Sequence, residues 1–404
     1  ESLEHAADFG FEVGEVKVNW PRVIERSRDS ANKLASGVEF LMKKNKIPVY
    51  SGTGSMLSMH RIRVQAADGT TTEIQSTNTI LATGARPAVL PGIELDGERV
   101  ITSREAMIAP QRPESLTVIG AGAIGLEFAY FYSVFGTKVT LLEYAPNILP
   151  SGDAEVCDAL ARSFRKRKIQ IESSAKVTGV RRDGDSTITT YEKNGETKEV
   201  RSDLALVAVG VRGNSEGLGL ENIGVKVERG FVPVDEFGQT NVAGVYAIGD
   251  LTGPPALAHA ASAEALQAVR HIAGERPDGI DATHIPACIY CKPQVASVGL
   301  TEAQAAETGR ELKIGRFPFV ANGKAVAVGD VEGFVKIIGD AESGELLGAH
   351  IVGPDATEMI AELGLALKSE ISVEELHHTI HAHPTLSESV MEAAADWADE
   401  VIGI

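Results

Sequence analysis

The stretch from Leu116 to Glu143 restricts the fold of this chain more than any other. A strand, LTVIG, runs into Gly120-Ala121-Gly122-Ala123-Ile124-Gly125; the helical sequence LEFAYFYSVFG follows, and a second strand, KVTLLE, ends at Glu143. A G-x-G-x-x-G turn between strand and helix is the signature of a parallel strand–helix–strand unit that binds a dinucleotide. Gly120 permits the tight turn, Gly122 lets a pyrophosphate approach the backbone, and Gly125 lets helix and strand pack closely. The phosphates then meet a helix N-terminus, whose free N–H groups and dipole favour anions. Glu143 lies 18 residues past Gly125, where a carboxylate accepts hydrogen bonds from a ribose 2′-hydroxyl and repels a 2′-phosphate, so NAD is favoured over NADP. Glycines kept for packing alone would not need both strands, the helix and the acid in order. Two further glycine clusters, Gly52-Thr53-Gly54 and Gly217-Leu218-Gly219, lack that context and read as turns.

Around this unit the elements alternate as in α/β proteins, without internal repeats. Residues 21 to 45 place Val23, Ala31, Leu34, Val38 and Leu41 at helical spacing behind Pro21, which predicts a long amphipathic helix. Short strands are expected in IPVY, HRIRVQA and TEIQ, and a buried one in TNTILATG, which ends at Gly84. A helix is expected near 153 to 167, followed by β-rich sequence up to LALVAVG at 204 to 210. From about 283, strands that include FVKIIGD and LLGAHIVG flank the turn Glu342-Ser343-Gly344, and helices follow Pro354.

Composition narrows the functional classes. The 404 residues are 43% hydrophobic and 23% charged, enough for several domains with sizeable cores. Lys and Arg number 38 against 56 Asp and Glu, a net charge of −18 that repels a phosphate backbone or an anionic membrane. Nucleic-acid and membrane partners are therefore not expected. No apolar run approaches the ~20 residues that span a bilayer, and no targeting layout is visible. Three cysteines, Cys157, Cys288 and Cys291, are too few for a disulfide framework and fit a reducing cytoplasm.

Three weaker signals carry chemistry. GVYAIGD, 244 to 250, is a buried strand ending at Gly249-Asp250, with Ala258-His259-Ala260 opening a helix soon after. Asp250 is either a polyol acceptor at a second nucleotide site or a plain strand-to-turn carboxylate. His381-Ala382-His383-Pro384-Thr385-Leu386-Ser387-Glu388, preceded by His377-His378, invites a metal reading, but the spacing is not H-E-x-x-H and Pro384 breaks the helix that would carry two ligands. No metal site is expected. A His–Glu dyad fits better, with Glu388 fixing one tautomer so that His383 exchanges a proton near neutral pH. Thr385-x-x-Glu388 is also a capping box, and both roles hold together only if the two carboxylate oxygens divide the work. Cys288-Ile289-Tyr290-Cys291 is a lone C-x-x-C, open to redox or half-zinc-site readings.

TILATG at 79 to 84, GAGAIGLEF at 120 to 128, GVYAIGD, LAHAASAEA at 257 to 265, VASVGLTEAQA at 295 to 305 and HAHPTLSESV at 381 to 390 resemble, in order and spacing, the dihydrolipoyl dehydrogenases of the class I pyridine nucleotide-disulfide oxidoreductases. The resemblance covers essentially the whole chain. It implies an α/β fold of two Rossmann-like dinucleotide-binding domains, the FAD one incomplete, and a C-terminal α+β dimerisation domain. The corresponding divisions are 1–88, part of the FAD domain; 89–212, the NAD domain; 213–282, the second part of the FAD domain; and 283–404, the interface domain. It implies that His383 is the acid–base residue for a dithiol substrate, oriented by Glu388, in the active site of the partner subunit of a homodimer. Thr83, Gly84, Gly249, Asp250, Ala258, His259 and Ala260 would line FAD, Gly210 would touch NAD, and Glu127 would lie near the flavin–nicotinamide contact. The implied activity is oxidation of dihydrolipoamide, carried on the lipoyl domain of a 2-oxo acid dehydrogenase complex, with NAD⁺ through FAD and a redox disulfide. It also places Cys288 and Cys291 away from the flavin.

One departure qualifies this. The family's first FAD-binding strand, its glycine turn and the C-x4-C redox pair have no counterpart here, and ESLEHAADFG resembles sequence just after that pair. A fragment, a processed product or an incompletely represented chain is expected rather than a natively shortened protein. Loss of those elements would expose the neighbourhood of Thr79 to Ala82. The competing reading is an NAD(H)-binding dimer scaffold, or an NADH diaphorase, without disulfide chemistry.

Overall fold

The computed structural model describes residue 3 and residues 6–402. The chain divides into two compact units, one formed by Val89–Gly210 and Thr283 onward with the segment ending at Trp20, the other by Pro21–Ala88 and Val211–Ala282.

The first unit holds a five-stranded sheet in the order Val100–Ile101, Leu204–Val207, Ser115–Ile119, Lys138–Leu142 and Gln170–Glu172, parallel throughout. Leu204–Val207 is buried along its length and Ser115–Ile119 nearly so, which is why both read as apolar runs rather than alternations. The helix Ala123–Val134 follows the Ser115–Ile119 strand and buries Leu126, Ala129 and Tyr132. Trp20 packs among Phe131, Tyr132 and Phe135 and donates its indole N–H to the Ala109 carbonyl. A three-stranded antiparallel sheet, Lys176–Asp183, Ser186–Lys193 and Glu196–Ser202, completes this part.

After Thr283 come five antiparallel strands in the order Ala287–Ile289, Gln294–Gly299, Leu346–Gly353, Phe334–Asp340 and Leu312–Pro318. The helices Ala356–Lys368 and Glu388–Trp397 share a core with this sheet, including Phe317, Ile337, Ile351, Leu363, Val390 and Trp397. FVKIIGD and LLGAHIVG form neighbouring strands, and the Asp340 carboxylate accepts from the N–H groups of Glu342 and Ser343 to shape the turn between them.

Buried charges join the two parts of this unit. Asp153 caps the helix Ala154–Lys166, which precedes the strand Gln170–Glu172, while Lys336 lies on the strand Phe334–Asp340. Lys336, whose side chain is 1% exposed, donates to Asp153 at 2.9 Å, Glu155 at 2.8 Å and Glu302 at 2.6 Å. A buried ammonium persists only with its donors met in this way.

The second unit pairs Thr79–Leu81 with Val245–Ala247 in parallel and Ala85–Pro87 with Val211–Gly213 antiparallel, beside a sheet of Thr53–Ser58, Arg61–Gln65 and Thr71–Gln75. Met56, Leu81, Val232, Val245 and Leu251 form its core. Three expectations change here. IPVY at 47 to 50 is not a strand, since Pro48 offers no ladder donor and Ile47, Val49 and Tyr50 are exposed; the strand starts at Thr53 and runs through Gly54. Thr79 and Leu81 are buried, and of that stretch only Ala82 is exposed. The helix Trp20–Lys44 forms as the periodicity predicts, yet Leu34, Val38 and Leu41 on its apolar stripe are exposed.

No described helix is long and apolar enough to cross a membrane.

Candidate active site and cofactor sites

The G-x-G-x-x-G turn is built as steric logic requires. Gly120 has φ +100°, and a Cβ there would meet the Ala208 carbonyl oxygen at 2.4 Å; at Gly125 it would meet the Gly120 oxygen at 1.9 Å. At Gly122 a Cβ would meet nothing within 4 Å, and this residue caps the helix without a side-chain hydrogen bond. Two glycines are thus demanded by the protein itself, while the third opens onto space at a helix N-terminus whose N–H groups are uncapped by any side chain, a cradle that fits a pyrophosphate. Glu143 is buried at the end of the strand Lys138–Leu142; one oxygen accepts the Ala121 N–H at 2.6 Å and the other the Ala145 N–H at 2.7 Å. The acid therefore braces the turn, each oxygen retaining a lone pair. Gly210 has φ +112° with open space around it.

Glu127 projects from the Ala123–Val134 helix and accepts the Tyr290 backbone N–H at 3.0 Å. Burial pushes its carboxyl up, and that N–H only partly offsets the rise.

In the second unit, Thr83 and Asn214 exchange hydrogen bonds: the Thr83 hydroxyl donates to the Asn214 carbonyl, and the Asn214 amide donates to the Thr83 carbonyl, each at 2.9 Å. Gly84 follows with φ +67°. Gly249, also at φ +67°, donates its N–H to Glu264 at 2.6 Å, and Asp250 follows in the short turn Gly249–Leu251. Ala258, His259 and Ala260 form the first turn of the helix Ala258–Ile272, which carries no side-chain cap. Strand ends beside an uncapped helix N-terminus suit the polar parts of a second dinucleotide.

The C-terminal motif forms a compact constellation. His383 Nδ1 lies 2.8 Å from Glu388 Oε1, and Glu388 Oε2 accepts the Thr385 N–H at 2.8 Å. The two carboxylate oxygens thus serve the imidazole and the Thr385 N–H, but the expected capping box does not form: the helix Glu388–Trp397 starts from Ser387 without a side-chain cap, and the Thr385 hydroxyl donates to the Ala382 carbonyl instead. Burial raises the Glu388 carboxyl, but the Thr385 N–H and His383 outweigh it and hold the group below its ordinary value. An acceptor at Nδ1 places the ring proton there and leaves Nε2 as the acceptor. The His383 side chain is 77% exposed, so that lone pair is open to an incoming group.

His377, His378 and Glu400 bring ligand atoms within 4.8 Å of one another. His377 Nε2 pairs with Glu400 at 3.0 Å, but its buried Nδ1 has no partner, so the ring lacks the outer hydrogen bond that normally holds a metal-ligating imidazole. Cys157, Cys288 and Cys291 are free thiols. Burial, with Asp153 and Asp158 nearby, pushes Cys157 up to about 11. Burial, followed by the Glu127 charge and partly offset by Arg167, pushes Cys291 up to about 12, and burial and Glu358 raise Cys288. Thiols held protonated are poor nucleophiles and poor ligands.

Sequence reasoning missed Glu362, Asn322 and Glu264. His381 meets Glu362 across 19 residues, and Asn322 bonds Thr385 and Ser389 across more than 60. No local pattern announces such pairs; Glu264 lay within the LAHAASAEA block without a visible role.

Residues 3–265 match the model of the pyridine nucleotide-disulphide oxidoreductases, and residues 285–394 match the dimerisation domain of the same group. The chain is 45% identical over 398 residues to the dihydrolipoyl dehydrogenase of Chlorobaculum parvum, covering 97% of this chain and 84% of the relative. It is 46% identical to the dihydrolipoyl dehydrogenase of Rhizobium etli, covering 98% and 86%. Among solved structures, LpdA from Mycobacterium tuberculosis superposes with a TM-score of 0.91 at 31% identity, covering 97% of this chain and 86% of that one.

Proposed function

This chain belongs to the pyridine nucleotide-disulphide oxidoreductase family, and on that premise we propose that it acts as an NAD-dependent dihydrolipoyl dehydrogenase. The observation that carries the proposal is the exposed His383 Nε2, oriented through Nδ1 by Glu388. A dithiol oxidised to a disulfide gives up two electrons and two protons. NAD⁺ takes the electrons and one proton as hydride, and one proton passes to water, so dithiol and NAD⁺ become disulfide, NADH and H⁺. His383 accepts a thiol proton at Nε2, generating the thiolate that would attack the family's redox disulfide, whose C-x4-C pair has no counterpart in this sequence, and so pass the electrons on toward FAD and NAD⁺. Glu388 stays ionised and stabilises the imidazolium that forms.

Bound FAD and NAD⁺ supply the electron acceptors when present. Gly120, Gly122, Gly125, Glu143 and Gly210 would hold the nicotinamide dinucleotide, and Glu127 would stand near its reactive end. Thr83, Gly84, Gly249, Asp250 and Ala258 to Ala260 would line the flavin. The dimerisation match supports a homodimer in which His383 and Glu388 serve the neighbouring subunit's site, with a lipoyl domain as the carrier of substrate. A soluble, cytoplasmic setting fits this role.

The test is dihydrolipoamide-dependent NADH formation by the flavin-loaded protein, with NADH-to-dye reduction measured in parallel. His383→Gln should lower dithiol turnover by about 10²- to 10⁴-fold, the usual worth of general acid–base catalysis, and spare dye reduction. Equal loss of both would remove the acid–base assignment, and dye reduction without any dithiol turnover in the parent would leave only a diaphorase.

A further inference from the structure

The HAHPTLSE segment contains a second histidine–carboxylate pair, built opposite to the first. His381 Nδ1 faces the Thr379 carbonyl at 2.8 Å and Nε2 faces Glu362 Oε1 at 2.6 Å. Its side chain is 6% exposed, against 77% for His383 two residues on and 96% for Ile380 beside it. With an acceptor opposite each ring nitrogen, His381 keeps no lone pair free for a substrate. Burial and saturation suit it to holding, not to proton transfer.

Glu362 lies on the helix Ala356–Lys368, within the core of the interface domain, where Ile360 and Leu363 are buried. On the far side of His383 a second anchor exists: the Asn322 amide donates to the Thr385 carbonyl at 3.0 Å and to Ser389 Oγ at 3.0 Å, with Asn322 itself 4% exposed. Residues 382 to 384 are therefore suspended between two fixed points on separate elements, one of them the His381–Glu362 pair.

We propose that His381 and Glu362 are positioning residues for the His383–Glu388 dyad, fixing the N-terminal end of its loop to the Ala356–Lys368 helix so that His383 Nε2 keeps its aim. This rests on the dithiol-oxidation reading above for its kinetic consequence, though not for its structural one. A side chain displaced by even ~1 Å from its reacting partner loses on the order of 10²-fold in rate, so a loosened loop reduces kcat for the dithiol while its KM changes little.

Two readouts test it on the flavin-loaded full chain. In Glu362→Ala, kcat for dihydrolipoamide oxidation should fall at least tenfold with KM within threefold and NADH-to-dye reduction within twofold of the parent. Glu362→Gln keeps an acceptor for His381 and should restore most of the loss, and Glu362→Ala combined with His381→Ala should be no worse than either alone. The second readout needs no turnover: the pH profile of histidine C2-hydrogen exchange at His383, followed by mass spectrometry, should shift in Glu362→Ala and return toward the parent in Glu362→Gln. An unchanged exchange profile with parental kcat overturns the proposal, and so does equal loss of both activities, which would mean general unfolding. A parent without dithiol turnover defeats the functional reading instead, and the exchange profile then decides the positioning role alone.

Discussion

At the scale of single residues, this site sorts chemically similar groups by what surrounds them. His381 and His383 are two positions apart and each meets a glutamate, yet one is sealed and the other open. Glu388 follows the same rule: one oxygen accepts the Thr385 N–H and the other orients an imidazole. Its lowered carboxyl has a consequence with a definite sign. A group whose folded-state pKa is depressed contributes stability above its unfolded pKa and loses it as pH falls through the folded value. Dithiol turnover should therefore keep its Glu388-dependent orientation throughout the neutral range. Glu388→Gln should lower kcat there by at least tenfold, because the amide supports an imidazolium less well than a carboxylate, as a rate measurement between pH 6 and 8 would show. The dyad was legible from the spacing of HAHPTLSE, since both partners lie within one short turn. Glu362 was not, because its partnership depends on where a separate helix packs.

At the scale of elements, the nucleotide turn separates fold from function within one motif. Gly125→Ala drives a Cβ to 1.9 Å from the Gly120 oxygen, so the helix Ala123–Val134 must move off its strand. We expect both a lower melting temperature and loss of NADH binding. Gly122→Ala meets nothing in the protein, so melting should change by only a few degrees, while NADH affinity falls at least tenfold because the added methyl occupies the space a pyrophosphate would use. Calorimetry with NADH fluorescence titration distinguishes the two; equal behaviour of both variants would mean that Gly122 does not face the ligand. The strand–helix–strand unit was readable because turn, helix and strand are consecutive. The helix Trp20–Lys44 was readable for a different reason, its period, but period says which face is apolar and nothing about what covers it. IPVY misled because β-prone residues form a strand only where a neighbour accepts their ladder bonds.

At the scale of the molecule, Lys336 is where the nucleotide-turn region and the C-terminal sheet meet within one unit. Lys336→Met leaves Asp153, whose side chain is 1% exposed, as a buried and uncompensated carboxylate, a change that typically costs about 3–5 kcal/mol. Denaturant unfolding should show it, and parental stability would mean that the charges relax into water. Hydrogen bonding from Arg316, against some burial and with help from Lys336, holds Glu155 down at about 2; Asp153 is raised by burial but lowered overall by Lys336 and its other partners. Both carboxylates therefore contribute stability above their unfolded values, and that contribution is lost as pH falls toward the folded ones. Melting temperature should drop between about pH 5 and 2, and Glu155→Gln should flatten that drop. Lys336 is pushed down by burial but raised overall by its three carboxylates, so its contribution persists through neutrality and is lost only in strong alkali. By itself the sequence determined the G-x-G-x-x-G unit, the long N-terminal helix, the β-hairpin around Ser343 and the His383–Glu388 dyad, because each is written in residues close enough along the chain to form one local structure. Only the tertiary structure decided that Lys336 meets Asp153, that Glu127 meets the Tyr290 N–H and that Glu362 anchors His381. Those pairs join segments up to 183 residues apart, and which buried polar groups find one another is settled by the packing of whole elements, not by any pattern along the chain.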